Sequence, residues 1–202
     1  MGASWRAQTD LGGLWKQPLR WARQANGTRP RVFCASLSDV FDNQASAGAL
    51  CDLFNLIRKT PELDWLLLTK RPENIARMLP DRLSWGPQGW PNVWLGTTAE
   101  DQAHYNRRWP ILSRIPAALC FISYEPALGP LTDLYATAGQ APDWIICGGE
   151  SGVGARMMDP EWARDLRDQC AERSIPYFFK QMTGKKPIPE DLLVRQFPRL
   201  VP

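Results

Sequence analysis

Six short apolar runs recur along this chain, and each is followed by polar residues and then by a helical pattern or a loop. The clearest run begins at Asp143 and passes into Gly148-Gly-Glu-Ser-Gly152, a turn of glycines, a carboxylate and a hydroxyl. Asp159-Pro160-Glu161 then supplies a helix N-cap, a proline at the first helical position and an acid in the first turn. Apolar runs this short suit strands that are buried on both faces. The alternation predicts parallel strands joined by right-handed crossovers.

The same pattern predicts the bounds of the individual elements. Five strands are predicted at residues 31–38, 64–69, 92–97, 118–123 and 176–179, and another begins at Asp143. Helices are predicted at residues 43–59 and 72–79, from the third strand to Arg114 with a bend at Pro110, and from Asp159. We expect a loop at 80–91 and a long loop with a short helical piece at 127–141.

All six predicted strands end in polar residues, and this favours a β/α barrel, in which the strand ends line one face. An open doubly wound sheet is the alternative, but its sites use the strand ends near the switch point. A complete barrel takes about 250 residues, and this chain has 202. We therefore predict an α/β fold, a partial TIM-like barrel of about six parallel strands. We place it at residues 31–182, between irregular segments at 1–30 and 183–202.

Composition sets limits on the environment and the ligand. The net charge of +3 permits an anionic ligand without requiring nucleic acid. No apolar run approaches the length of a membrane span, and the N-terminus lacks the apolar core of a signal peptide. We therefore predict a cytoplasmic protein that does not contact a membrane. The five cysteines are scattered and form no C-x-x-C pair, so buried reduced thiols are the favoured interpretation.

Charged residues at the predicted strand ends are the candidates for catalysis. Glu125 and Glu150 each lie directly at a strand end, and Lys180 ends the last strand. Converging carboxylates can hold a divalent cation or act as acid and base. Glu100 and Asp101 also follow a strand, but acids that open a helix are common for helix stability alone. We predict Glu125, Glu150 and Lys180 as catalytic residues.

Hydroxyls, glycines and a lysine at the strand ends are the candidates for binding a ligand or cofactor. Backbone N–H groups of a glycine turn can approach an anion, and a lysine suits a phosphate or carboxylate. Tight turning alone also explains the glycines, and Lys70, Arg71 and Lys180 can instead form salt bridges with the glutamates. The predicted binding residues are Ser36, Ser38, Thr69, Lys70, Gly148, Gly149 and Ser151. His104 is interpreted as structural or solvent-facing, and no metal ligand is assigned.

Six ordered motifs carry a resemblance to a known family. They are Val32-Phe-Cys-Ala-Ser-Leu-Ser-Asp-Val-Phe-Asp42, Leu68-Thr-Lys-Arg-Pro-Glu73, Asn92-Val-Trp-Leu-Gly-Thr-Thr-Ala-Glu-Asp-Gln102, Ser123-Tyr-Glu-Pro126, Gly148-Gly-Glu-Ser-Gly152 and Phe178-Phe-Lys-Gln181. From about Leu14 onward, the chain resembles an uncharacterised family of phage and prophage proteins. The resemblance implies a radical-SAM-like partial barrel.

The resemblance also implies a cofactor, S-adenosylmethionine with a [4Fe–4S] cluster. Family members usually carry the cluster on an N-terminal three-cysteine segment that has no counterpart here. We expect a truncated or cluster-less form, or a missing part on a separate chain, because a cluster needs grouped thiolates. Gly148-Gly149-Glu150 resembles the Gly-Gly-Glu of radical-SAM enzymes, but it lies at a late strand, and its role there does not transfer.

Three functions remain open from the sequence. The chain is a radical-SAM-like protein with an anion or small-molecule site at the strand ends, a metal- or anion-dependent barrel enzyme without a cluster, or a non-catalytic phage accessory protein that binds a partner or nucleic acid. Because an incomplete barrel exposes a strand edge, we also expect self-association, a partner chain that completes the barrel, or cover from residues 1–30.

Overall fold

The computed structural model describes residues 16–34, 39–135 and 140–198. Its strands are β1 (Arg31–Cys34), β2 (Asp64–Thr69), β3 (Val93–Thr98), β4 (Leu119–Tyr124), β5 (Trp144–Gly148) and β6 (Tyr177–Gln181). They form one sheet in chain order, and the pairs β1–β2, β4–β5 and β5–β6 are parallel in register. The predicted class, an α/β partial barrel of six parallel strands, is confirmed.

The helices fall in the connections between the strands. They are α1 (Gln17–Gln24), α2 (Ala47–Arg58), α3 (Pro72–Met78), α4 (Arg82–Trp85), α5 (Gln102–Leu112) and α6 (Pro160–Glu172). Short 3-10 helices at Thr183–Lys185 and Glu190–Leu192 follow β6. The longest described helix, α6, has 13 residues, and none of the helices in the described ranges can span a bilayer.

Two sequence predictions of local structure were wrong. The helix predicted from residue 43 begins at Ala47, because the Ser46 hydroxyl caps it by accepting the Ala49 N–H at 3.0 Å. The predicted loop at 80–91 contains α4, which Asp81 opens by accepting the Ser84 N–H at 3.0 Å. The short helical piece predicted within 127–141 is not found in 127–135 or 140–141, and residues 136–139 lie outside the described residues, so it stays a prediction.

The chain divides into two compact units. Unit 1 comprises residues 1–95 and 115–118, and unit 2 comprises 96–114 and 119–202. In unit 1, Trp65 of β2 is buried and its indole donates to the Thr60 hydroxyl at 3.1 Å, which joins the strand to the end of α2. The buried Asp64 carboxylate accepts the Arg29 guanidinium at 2.8 Å. Large apolar side chains thus fill the unit, and its buried charge has a partner.

In unit 2, the side chains of each strand alternate between two faces of the sheet. Tyr177 of β6 lies on the helix side and donates from its hydroxyl to the Ala163 carbonyl of α6 at 3.1 Å. Its neighbour Phe178 lies on the opposite face, where its ring centroid is 6.1 Å from that of Trp144 in β5. Gly96 is required on this face, because a Cβ there would lie 2.2 Å from the Phe121 ring. This face, opposite the one that packs on α6, carries the candidate site.

The outer edge of β6 is occupied by the segment that follows it. Phe178 and Arg195 form an antiparallel bridge, the Phe179 N–H donates to the Val194 carbonyl at 2.8 Å, and the Gln196 N–H donates to Tyr177 at 2.9 Å. Phe197 packs beside Phe178 with ring centroids 5.2 Å apart. This edge therefore has backbone partners supplied by the chain itself.

Candidate functional site

An aromatic layer supports the face of unit 2 that lies opposite α6. Phe121 and Trp144 lie on this face with ring centroids 5.8 Å apart, and Phe178 continues the layer. Phe121 and Trp144 are almost completely buried. Because side chains alternate along a strand, β4 places Ser123 above Phe121 and directs Glu125 to the same face. The polar residues at the strand ends therefore stand on an apolar layer that excludes water from below.

The central contact of this face is an ion pair between Glu125 and Lys180. The Lys180 ammonium lies 3.1 Å from Glu125 Oε1 and 3.4 Å from Oε2. Ser123 donates its hydroxyl to Oε2 at 3.1 Å. The Glu125 side chain is 15% exposed, whereas that of Lys180 is 51% exposed. The pair thus has a nearly buried carboxylate and an ammonium that an incoming anion can reach.

Gly148 makes room for this carboxylate. A Cβ at position 148 would lie 2.7 Å from Glu125 Oε1, a distance that real Cβ contacts do not reach. The Gly148 carbonyl also accepts the Ala127 N–H at 3.0 Å, which ties the end of β5 to the turn after β4. Gly148 therefore belongs with Glu125, Lys180 and Ser123 in one cluster, which we name the Glu125 cluster.

Glu150 closes the loop that follows β5. Its carboxylate accepts the Arg156 backbone N–H at 2.8 Å and two guanidinium bonds at 2.9 and 2.8 Å. These hydrogen bonds raise the pKa of Arg156, and the charges of Glu150 and Glu100 act in the same direction. Ser151, a predicted binding residue, is exposed in the loop that this pair holds. Glu150 therefore holds the two ends of the loop at 150–156 together, and we call this contact the clamp.

Gly149 allows a close backbone contact beside that loop. A Cβ at position 149 would lie 2.3 Å from the Thr183 backbone nitrogen, so only glycine fits. The Gly149 N–H donates to the Gln181 carbonyl at 2.8 Å, and the Gly184 N–H donates to the Glu150 carbonyl at 2.9 Å. Gly149 therefore joins the end of β5 to the segment after β6.

Glu100 and Asp101, the two acids after β3, each contact a residue of α5, as expected for acids with a structural role. Asp101 caps α5 by accepting the His104 N–H at 2.8 Å, and its carboxylate lies 2.7 Å from His104 Nδ1. The pKa of Asp101 is lowered, because the hydrogen bonds and charge of His104 outweigh its partial desolvation. Glu100 is buried and pairs with Arg108 at 2.7 Å.

Unit 1 carries its own polar cluster at the end of β2. Asp39 accepts the Lys70 backbone N–H at 3.0 Å, the Arg71 guanidinium at 2.9 Å and the Phe41 N–H at 3.0 Å. The buried Thr69 hydroxyl accepts the Arg71 N–H at 2.9 Å. This Asp39 cluster includes Thr69 and Lys70 from the predicted binding set. Ser36 and Ser38 lie outside the described residues.

Sequence reasoning missed several partners in these clusters. Arg156, Arg108, Thr183 and Asp39 were not predicted as site residues. The period-two pattern Phe121-x-Ser123-x-Glu125 was the signal for the Glu125 cluster, because it places these residues on one face. The signal for the clamp was a basic residue six positions after Glu150, in a loop with two glycines. In the structure both glycines adopt positive φ.

The residues fit neither a metal ion nor an iron–sulfur cluster. Within the described ranges, no group of three or more His, Cys, Asp or Glu side chains is placed to hold a metal. Burial raises the pKa of the Cys34, Cys120 and Cys170 thiols to about 12 and also raises the pKa of Cys147. A cluster needs grouped thiolates, and the described cysteines form no such group.

The fold and the site together define a class: an α/β partial barrel with a polar cluster at the C-terminal ends of its strands. Residues 5–191 match the family model described as "Protein of unknown function (DUF5131)", and the chain belongs to that family. Searches of curated proteins and of solved structures gave no match to this chain.

Proposed function

We propose that the chain binds a small molecule with an anionic group at the Glu125 cluster and acts on it by proton transfer. One observation carries the proposal: a nearly buried carboxylate is paired at 3.1 Å with an ammonium that is 51% exposed. Such a half-exposed ion pair adds little to stability, because solvent screens the ammonium and desolvation of the carboxylate offsets much of the attraction. Its position at a strand end is therefore better explained by ligand binding, the usual use of such positions.

The roles of the two charged groups follow from their exposure. Lys180 binds the anionic group of the ligand, because its ammonium faces solvent and can turn from Glu125 to a phosphate or carboxylate. Glu125 then accepts a hydrogen bond from an O–H or N–H of the same ligand and serves as general base. The Ser123 hydroxyl holds the carboxylate in place, and the aromatic layer beneath strengthens both charge interactions by keeping water away.

The proposal is tested by thermal unfolding in the presence of a panel of small carboxylates and phosphates. We expect at least one compound to raise the Tm of the native protein, because a ligand that binds only the folded state stabilises it. Lys180→Met and Glu125→Gln should abolish this shift. Lys186→Met, which removes an exposed lysine from the same unit, should preserve it.

Two outcomes would overturn the proposal. One is that no compound in the panel shifts the Tm. The other is that Lys180→Met and Glu125→Gln respond to the ligand as the native protein does.

We also propose, from the resemblance of the six motifs, that the chain is of phage origin and related to radical-SAM barrels. The order of parallel strands supports the relationship. We derive no step through an iron–sulfur cluster, because the described thiols are unsuited to one. Incubation with iron and sulfide should leave the purified chain without the visible absorbance of a cluster. A stoichiometric cluster would contradict this expectation.

A further inference from the structure

An open groove in unit 1 has the size and lining of a ligand site. It encloses about 610 Å³ between α2, the end of α3 and the segment that carries Trp90. Small-molecule sites range from roughly 300 to 1,000 Å³ and combine an apolar lining with a few polar groups. All of its lining residues belong to unit 1, so the groove is a feature of that unit alone.

The groove is built on a second apolar face of α2. Leu53, Phe54, Leu56 and Ile57 of this helix are buried, and Phe54 also borders the groove. The residues of α2 that line the groove are three, four or seven positions apart, which places them on one side of the helix. They are Ala47, Leu50, Cys51, Phe54 and Arg58. A surface helix needs only one apolar face to pack on its core. In the described part of the chain, Ala47, Cys51 and Arg58 on this face are exposed, so a ligand can reach it.

Aromatic rings form one wall of the groove. Phe54 and Trp90 meet edge to face with ring centroids 5.8 Å apart, and Trp85 packs against both. The Trp90 indole N–H donates to the Ser84 carbonyl at 2.7 Å, which fixes the orientation of the ring. A wall of fixed rings favours a flat apolar group, because the protein loses little side-chain entropy on binding.

Two guanidinium groups line the same groove. Arg77 donates to the Asn74 side-chain oxygen at 2.7 Å and to Asn43, so its side chain is held in position. Arg58 lies in the last turn of α2 and is exposed. Against these two cations the lining contains one acid, Asp81, whose carboxylate accepts the Ser84 N–H. The charge of the lining therefore favours an anion.

We propose that this groove binds an amphipathic anion: a flat aromatic ring system that bears a carboxylate, phosphate or sulfonate. The ring system packs against Trp90 and Phe54, and the anionic group pairs with Arg58 or Arg77. The site is independent of the Glu125 cluster, because it uses no residue of unit 2.

The experiment uses 8-anilinonaphthalene-1-sulfonate, a fluorescent aromatic sulfonate, with the full chain. We expect one saturable site, with binding weakened about tenfold by Leu50→Glu, which places a carboxylate on the apolar wall, and about threefold by Arg58→Gln. The matched control Arg107→Gln changes an exposed arginine of α5 and should bind as the native protein does. Arg58→Gln keeps the test decisive if Leu50→Glu fails to fold.

Cys51 provides a second readout that does not depend on fluorescence. It is the exposed cysteine of the chain and lines the groove, whereas burial raises the pKa of the other four thiols. Saturating sulfonate should slow alkylation of Cys51 by iodoacetamide about tenfold, because alkylation requires access to the thiol.

Three outcomes would overturn the proposal. The first is the absence of saturable binding. The second is binding that leaves Cys51 alkylation unchanged or is insensitive to both groove variants. The third is a concentration-dependent dimer that Leu50→Glu abolishes, which would assign the groove to a second copy of the chain.

Discussion

The Asp39 cluster of unit 1 and the Glu125 cluster of unit 2 both lie at strand ends, yet their acids have different partners. Asp39 accepts two backbone N–H groups and the Arg71 guanidinium, so its carboxylate holds the local backbone. Glu125 accepts only side-chain groups in the contacts described above, from Lys180 and Ser123. A carboxylate that accepts backbone N–H groups stabilises the local fold. One that is paired with a half-exposed ammonium can exchange this partner for a ligand.

The comparison predicts that one cluster contributes to the stability of the fold and the other to ligand binding. Substitutions in the Asp39 cluster should lower the free energy of unfolding. Substitutions in the Glu125 cluster should leave that free energy nearly unchanged and remove ligand binding. The four predictions below run from the largest expected effect on stability to the smallest.

Asp39→Ala should produce the largest loss. It leaves the Phe41 and Lys70 N–H groups and the Arg71 guanidinium without this acceptor, and we expect the free energy of unfolding to fall by about 3 kcal/mol. Urea denaturation measures the change. Asp52→Ala, which removes an exposed acid of α2, is the matched control and should cost at most about 0.5 kcal/mol. Equal effects of the two substitutions would remove the distinction between the clusters.

Arg29→Gln should lower the free energy of unfolding by about 2 kcal/mol at neutral pH, because it leaves the buried Asp64 carboxylate without its cation. Burial already raises the pKa of Asp64 despite the nearby guanidinium. The folded state therefore takes up this proton at a higher pH than the unfolded chain, so the cost of the buried charge is present at neutral pH and falls on acidification.

Urea denaturation across a pH series measures this loss relative to the native protein, and we expect it to shrink as the pH falls. Asp64→Asn is the control background, because Arg29→Gln should cost much less where no carboxylate is present. If the free energy of unfolding lost in Arg29→Gln instead grew as the pH falls, the predicted pH dependence would be wrong.

Glu150→Gln tests whether an acid of unit 2 that accepts a backbone N–H also contributes to stability, as Asp39 does in unit 1. We expect a loss of about 1 kcal/mol, because the amide weakens three hydrogen bonds to Arg156 without removing every acceptor. Amide hydrogen exchange of residues 151–156 should accelerate, while exchange in β4 should not change. Glu161→Gln, which alters an exposed glutamate of α6, serves as the control. Unchanged exchange in the loop would argue against the clamp.

Lys180→Met should have the smallest effect on folding. Its ammonium is half exposed, and exposed ion pairs contribute at most about 1 kcal/mol. We expect the free energy of unfolding to stay within that range of the native value, while the ligand-dependent rise in Tm is lost. A loss of several kcal/mol would show that the Glu125 cluster serves stability in the way that the Asp39 cluster does.

The strands were predictable because their apolar runs and polar ends are local signals. The predicted run at 64–69 coincides with β2, and those at 92–97 and 118–123 are displaced by one residue from β3 and β4. The start of α2 was predicted four residues too early, because the Ser46 hydroxyl caps the helix and the apolar period begins only at Ala47. The predicted division at residues 30 and 182 stays a prediction.

The site was only partly predictable. Position at a strand end identified Glu125, Glu150 and Lys180, but it could not distinguish a clamp from an exchangeable pair. That distinction depends on contacts between residues distant in sequence, such as Lys180 with Glu125 and Gly149 with Thr183. The structural interpretation of Asp101 was available from the sequence, because an acid that precedes a helix is a common N-cap.

The pairing of residues 194–196 with β6 has a practical consequence for recombinant work. A C-terminal deletion that reaches Arg195 would expose the backbone of a strand and the ring of Phe178 at the same time, a combination that promotes intermolecular aggregation. Affinity tags added beyond Phe197 should therefore be joined through a flexible linker that does not compete for the strand, and shortened versions of the protein should retain this segment.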